Sequence, residues 1–190
     1  MDTIRMATEA DAEALAAIYA PSITDAPTSF EVVAPDFIQM AQRVNAVLVS
    51  APWLVFERNG AVAGYTYASR HRERAAYQWS VDVSIFVGNP HQRSGVGRAL
   101  YAVLFALLRV QGFFVAHAGI TLPNEASVGL HESVGFTPVG VYPAVGYKLG
   151  AWHDVGWWRL ALKAPEHPSA PPLLPADAAR DPNWQAALRY

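Results

Sequence analysis

Six residues, Gln92 to Gly97 (Gln-Arg-Ser-Gly-Val-Gly), sit between an apolar strand pattern, Val81 to Val87, and the helical pattern Ala99, Leu100, Val103, Leu104, Leu107, Leu108. A strand that turns through two glycines into a helix aims several backbone N–H groups, and the positive end of the helix dipole, at one point. Gly95 and Gly97 let a ligand approach that backbone without meeting a Cβ. Such a turn is a cradle for a pyrophosphate. It points to an enzyme with a phosphorylated cofactor rather than a plain structural domain.

With 190 residues, 52% of them hydrophobic and 16% charged, the chain suits one domain with a sizeable core and a short extension. A net charge of −2 and the lack of any basic run give no electrostatic reason to expect nucleic acid. No cysteine is present, which excludes disulfides, thiolate metal sites and a cysteine nucleophile. Charged residues from Asp2 to Glu13 leave no apolar leader core at the N-terminus. The longest apolar run, Ala99 to Leu108, is about half of a bilayer-spanning helix. A soluble cytoplasmic protein with no membrane partner is the expectation.

Patterning predicts a β-α-α-β-β-β-α-β-α-β-β order, a mixed, mostly antiparallel α/β sheet flanked by helices. Thr8 to Asp11 reads as an acidic capping box before a helix at Ala12 to Tyr19. Pro21 to Ser29 reads as loop, and Pro35 as the first turn of the second helix. Strands at Trp53–Glu57 and Val62–Ala68 join through Asn59-Gly60, a hairpin signal. Further strands are expected at Tyr77–Val87, Phe114–Thr121, Val139–Lys148 and Val155–Leu162, with a helix from Asn124 to Ser133. Residues 1–163 form the domain, and the Pro- and Ala-rich residues 164–190 read as an extended tail.

Gly95-x-Gly97 lacks the third glycine and the following acidic residue of a dinucleotide fingerprint, and no Gly-Lys-Ser/Thr exists for a Walker loop. The turn instead resembles the Gln/Arg-x-x-Gly-x-Gly/Ala signature of the GNAT acetyltransferase superfamily, and Asn124, Ser127, His131 and Gly135-Phe136 match its second half. From about Ile4 to Trp158 the chain is similar to the phosphinothricin N-acetyltransferase family. That likeness is carried by Tyr77–Val87, His91-Gln92-Arg93, Leu122-Pro123-Asn124, Leu130-His131-Glu132, Gly146-Tyr147-Lys148 and Trp152 to Gly156. The resemblance implies the GNAT fold, acetyl-CoA as co-substrate, a homodimer, and an association with resistance to the herbicide phosphinothricin. It places acetyl-CoA on Ile85, Phe86, Val87, Gln92, Arg93, Ser94, Gly95, Val96, Gly97 and Arg98, with Asn124 and Ser127 along the pantetheine arm. The acceptor would meet Phe30, Arg72, Arg74, Tyr77 and Ser84.

Acetyl transfer from a thioester to an amine requires a base, a donor to the carbonyl oxygen, a proton for the thiolate and aligned substrates. Asp82 lies in an apolar strand, where a carboxylate is costly without a partner or a task. Read alone it fits a solvated strand acid as well as a base. The resemblance makes it the general base, although the family usually has Glu there. His131 stands where many relatives keep a Tyr acid, and an imidazole can protonate the thiolate. Arg72 and Arg74 fit a solvated charged loop as well as a clamp for the carboxylate of an anionic amino acid, which a guanidinium binds bidentately. Phe30 reads as an apolar lid. His153-Asp154 has no third ligand at metal spacing, so no metal is expected there and Trp152 to Trp158 reads as structural, contributing to a dimer contact. The implied acceptors are phosphinothricin, methionine sulfoximine and methionine sulfone. Other amines (a polyamine, an aminoglycoside, a protein N-terminus) and a non-catalytic acyl-CoA-binding domain are the competing readings.

Overall fold

Seven strands form one sheet in the order β1-β2-β3-β4-β5-β7-β6. They are β1 Asp2–Met6, β2 Trp53–Arg58, β3 Ala61–Arg70, β4 Ser80–Val87, β5 Val115–Leu122, β6 Thr137–Lys148 and β7 Ala151–Ala161. The computed structural model describes residues 2–164, 166–168 and 170–189. Met1, Pro165, Ser169 and Tyr190, which belong to the two segments expected from sequence, lie outside the described residues. Every neighbouring pair of strands is antiparallel except β4 and β5. Asn59 and Gly60 both take positive φ, 53° and 80°, which suits the two-residue hairpin between β2 and β3.

Helices cover both faces. On one, α1 (Ala12–Tyr19) and α3 (Phe37–Leu48) enclose Leu15, Tyr19, Met40 and Val44 against Trp53, Val55 and Tyr65. On the other, α4 (Val96–Gln111) lays Leu100, Leu104, Leu107 and Leu108 over Leu54, Phe56, Val81, Val83 and Ala116. Next to it lies α5 (Glu125–Ser133), from which Val128 and Leu130 join the same core. Burying side chains of this size contributes about 1.5–3 kcal/mol each.

Local chemistry explains three departures from the sequence reading. Pro21 at a first helical position starts a four-residue helix, α2 (Pro21–Thr24), within the stretch expected to be loop. Asp36, not Pro35, opens α3: its carboxylate accepts from the Gln39 amide and Gln39 returns the bond, so Pro35 precedes the cap. The third concerns the tail. It folds back as α6 (Pro175–Ala178) and α7 (Pro182–Ala187), placing Ala178 and Trp184 in the core beside α4. The cause is α4 itself, which is apolar on more than the sheet-facing side and needs a second cover. Gln111, buried at its end, donates to the carbonyls of Ser50 and Leu173 and fastens the tail.

The expected box before α1 is present. Arg5 grips buried Asp11 through two nitrogens, at 2.9 and 2.8 Å, while Asp11 accepts from the Thr8 amide at 2.8 Å. The Arg5 guanidinium, helped by Thr8, holds the Asp11 carboxyl below its ordinary range against the opposing effect of burial. Its stabilisation is therefore present above the ordinary carboxylate pKa and lost as pH falls through the lowered folded-state value.

Two outcomes are expected in urea unfolding. Trp184→Ala should lose about 3–5 kcal/mol, the cost of truncating a buried Trp, whereas an undocked tail would lose almost nothing. Asp11→Asn should lose about 1–3 kcal/mol near neutral pH, with the gap to the unmodified protein closing in acid.

Candidate active site

Strands β4 and β5 pair over three positions only, Ser80↔Val115, Val81↔Ala116 and Asp82↔His117. Beyond that point β4 continues with β3 to Val87, and β5 continues with β7 to Leu122. The sheet is thus parted in its middle. A cavity of about 190 Å³ fills the gap, lined by Ser84, Ile85 and Phe86 of β4 and Ile120 and Thr121 of β5. Tyr19, Ser29 and Tyr67 close one side, and Tyr101, Asn124, Ser127 and His131 the other. Pro90 follows the end of β4, consistent with pairing that stops there.

The glycine turn lies at the end of β4 and opens α4. Gly95 is the helix N-cap with φ +86°, a conformation natural only to glycine, and no side chain caps the helix. The first-turn amides of Val96, Gly97 and Arg98 therefore point outward as an uncapped helix N-terminus. A Cβ on Gly97 would meet Leu130 at 2.9 Å, so its bareness serves the packing of α4 on α5, a reason beyond the ligand approach read from sequence. Gln92 is held by Asn89 Oδ1 at 2.9 Å, Ser94 Oγ donates to the His91 carbonyl, Arg93 has φ +57°, and Arg58 reaches Ser94 at 3.0 Å. These contacts shape the turn.

Asp82 is half-buried, two residues along the strand from the cavity wall at Ser84. Burial raises its carboxyl above the ordinary range, and the hydrogen bond from His71, 2.6 Å from Nδ1 to Oδ1, opposes the rise. The His71 ring also stacks on His117, at 4.3 Å between centroids. Sequence reasoning placed His71 in a polar loop and gave it no part here, since its link to Asp82 spans eleven positions.

His131 is buried at the base of the cavity. Its Nδ1–H donates to the Ser127 carbonyl at 2.7 Å, and Nε2 lies 2.8 Å from the Tyr101 hydroxyl. Burial lowers the imidazole pKa, so the ring is neutral and Nε2 accepts from Tyr101. Both ring nitrogens of the residue expected to be the acid are thus engaged within the protein, by Ser127 and by Tyr101. The hydroxyl of Tyr101, buried on α4, lines the cavity beside the imidazole. The signal for Tyr101 was a lone hydroxyl on the apolar face of α4. Asn124 caps α5 by accepting from the Ser127 amide, which leaves its amide nitrogen for a ligand.

Phe30 lies against Gly146, where a Cβ would overlap its ring. Lys148, buried, donates to the carbonyls of Ser29 and Ser22 and pins the same loop. Gly146-Tyr147-Lys148 thereby fixes the place of Phe30, which packs beside the cavity-lining Thr28 and Ser29 without lining the cavity itself. Arg72, Arg74 and Tyr77 do not line the cavity; they are exposed, with Arg72 5.7 Å from the Trp157 ring and Tyr77 edge-on to His71. In the Trp152 to Trp158 segment, His153 donates to the Lys148 carbonyl, Asp154 accepts from the Ala144 amide, and Trp158 enters the core. Its contacts are structural.

Residues 4–157 match the family model described as acetyltransferase (GNAT) domain. The chain is 39% identical to a phosphinothricin N-acetyltransferase of Streptomyces viridochromogenes, over 88% of this chain and 93% of that one. It is 36% identical to an L-methionine sulfoximine/L-methionine sulfone acetyltransferase of Salmonella typhimurium, over 88% of this chain and 99% of the relative. The structure of a GNAT superfamily phosphinothricin acetyltransferase from Sinorhizobium meliloti, in complex with acetyl-CoA, superposes with a TM-score of 0.82 at 31% identity, covering 90% and 93% of the two chains. Parted sheet, glycine turn and these likenesses together make the chain an N-acetyltransferase of the GNAT family, on its phosphinothricin N-acetyltransferase branch.

Proposed function

We propose that the enzyme transfers the acetyl group of acetyl-CoA to the α-amine of a small glutamate-like amino acid, with phosphinothricin, methionine sulfoximine and methionine sulfone as acceptors. The observation that carries this reading is the cavity through the parted sheet, which joins the side of α4 and α5 to the side of Asp82. The names of the relatives support the acceptor class, and the acetyl-CoA in the Sinorhizobium meliloti structure supports the donor.

The pyrophosphate lies on Gln92 to Arg98, where backbone amides and the helix dipole meet it. The pantetheine arm runs beside Ile85, Phe86 and Val87, whose backbone faces no strand partner on the β5 side, and reaches Asn124 and Ser127. Amides of the same strand polarise the thioester carbonyl. Asp82, with His71 holding it, takes the ammonium proton through one water, and the freed amine attacks the carbonyl carbon. As the C–S bond breaks, Tyr101 gives its hydroxyl proton to the sulfur and regains one from the new amide nitrogen. His131 acts through Tyr101 by fixing that hydroxyl. Arg72 and Arg74 bind the acceptor's carboxylate and polar head, with Tyr77, Ser84 and Phe30 around it. No metal enters the transfer. Acetylation removes the charged amine of phosphinothricin, the change that resistance to it would exploit. The cytoplasm, where acetyl-CoA and free amino acids meet, is the compartment this reading implies, and no helix among the described residues is long and apolar enough to cross a membrane.

The same reading includes a homodimer. Edge strand β6 exposes Val139, Val141, Tyr142, Val145 and Tyr147, and Trp152 lies beside them on β7. A long apolar edge of this kind is covered in a soluble protein.

Asp82→Asn should lower kcat about 10²- to 10⁴-fold with the three acceptors, with the KM for acetyl-CoA nearly unchanged; an unaltered kcat removes Asp82 as the base. In sedimentation, the unmodified chain should run at twice its mass and the Val141→Glu, Val145→Glu double variant at the mass of one chain. A monomeric parent would refute the dimer.

A further inference from the structure

We infer that His71, Asp82 and His117 form a binding site for a borderline divalent cation, Zn²⁺ above all, whose occupancy switches acetyl transfer off. The inference rests on Asp82 being the base. One ligand atom from each residue lies within 4.8 Å of the others, on neighbouring strands and the loop above them. Two imidazoles and a carboxylate are a donor set for zinc, which takes nitrogen at about 2.0–2.1 Å and carboxylate oxygen at about 2.0–2.2 Å.

A second observation points to a ligand independently. Nδ1 of His117 is buried and has no hydrogen-bond partner, a rare state for an imidazole nitrogen. Burial first, then the neighbouring His71, Arg159 and Arg72, disfavours the charged form of His117, although the Val81 backbone opposes this, and a neutral imidazole presents one ring nitrogen as a lone pair. His71 and Asp82 are part-exposed, and a cation can reach them from solvent. Binding replaces the proton shared between His71 and Asp82 with the metal, and the two stacked rings fan apart slightly to converge on it. Three protein ligands leave a fourth position for water. The two arginines oppose a cation, which sets a modest affinity suited to reversible control.

Inhibition follows from charge and lone pairs. A carboxylate bound to zinc cannot accept the ammonium proton, and the added positive charge repels the ammonium itself. His117 lies outside the acetyl-CoA and acceptor contacts, so it separates metal binding from catalysis.

Zn²⁺ binding to the full chain, without CoA, is measured by competition with a chromophoric chelator, and Co²⁺ is substituted to read coordination in the visible spectrum. Expected are one ion per chain, affinity at least tenfold weaker in His117→Gln, and unchanged metal-free transfer in that variant. Zn²⁺ should inhibit the unmodified enzyme, scored as acetylated product by mass spectrometry because the CoA thiol itself binds zinc, and a chelator should restore the rate. No binding by the unmodified chain, or binding undiminished in both His117→Gln and His71→Asn, overturns the site. If zinc fails to bind while Asp82→Asn still lowers kcat as expected, the metal site falls and the base stands. If zinc binds there and transfer continues, the switch falls together with Asp82 as base.

Discussion

Two parallel strands that pair for three residues and then separate set the terms for the rest of the molecule. Beyond Asp82 and His117, β4 satisfies its backbone against β3 alone and β5 against β7 alone. Backbone groups along such a seam need polar partners, so the seam favours a ligand rich in amide and carbonyl groups, as a pantetheine arm is. The parting also lets one cavity take its walls from both faces of the sheet.

Around the seam, burial works against charge, and hydrogen bonds decide the outcome. Asp82 is pushed toward its neutral form by burial and pulled back by His71. His131 is buried neutral with both ring nitrogens engaged, Nδ1 by the Ser127 carbonyl and Nε2 by the Tyr101 hydroxyl. Lys148 spends its ammonium on two backbone carbonyls and so anchors the loop that carries Phe30. Each group is poised by neighbours remote in sequence.

Legibility followed the range of the interactions. The hairpin at Asn59-Gly60, the capping box at Thr8 to Asp11 and the glycine turn are set by contacts within a few residues, and all stand where local chemistry puts them. Pro- and Ala-rich composition misled for the tail, because its helices are held by the outward face of α4 rather than by their own propensity. Gly97 was legible as a glycine that must be bare. That Leu130 demands this could not be read, since the two residues meet only when α5 packs beside α4.

By itself the sequence determined the order of the seven strands and the four longer helices, the glycine turn that opens α4 and the acetyltransferase likeness, because each rests on short-range periodicity or a contiguous motif. Tertiary structure alone decided where the sheet parts, that His71 and His117 gather on Asp82, and that Tyr101 meets His131. Those placements depend on strand register and helix packing between residues ten to forty positions apart or more, and no local pattern encodes such distances.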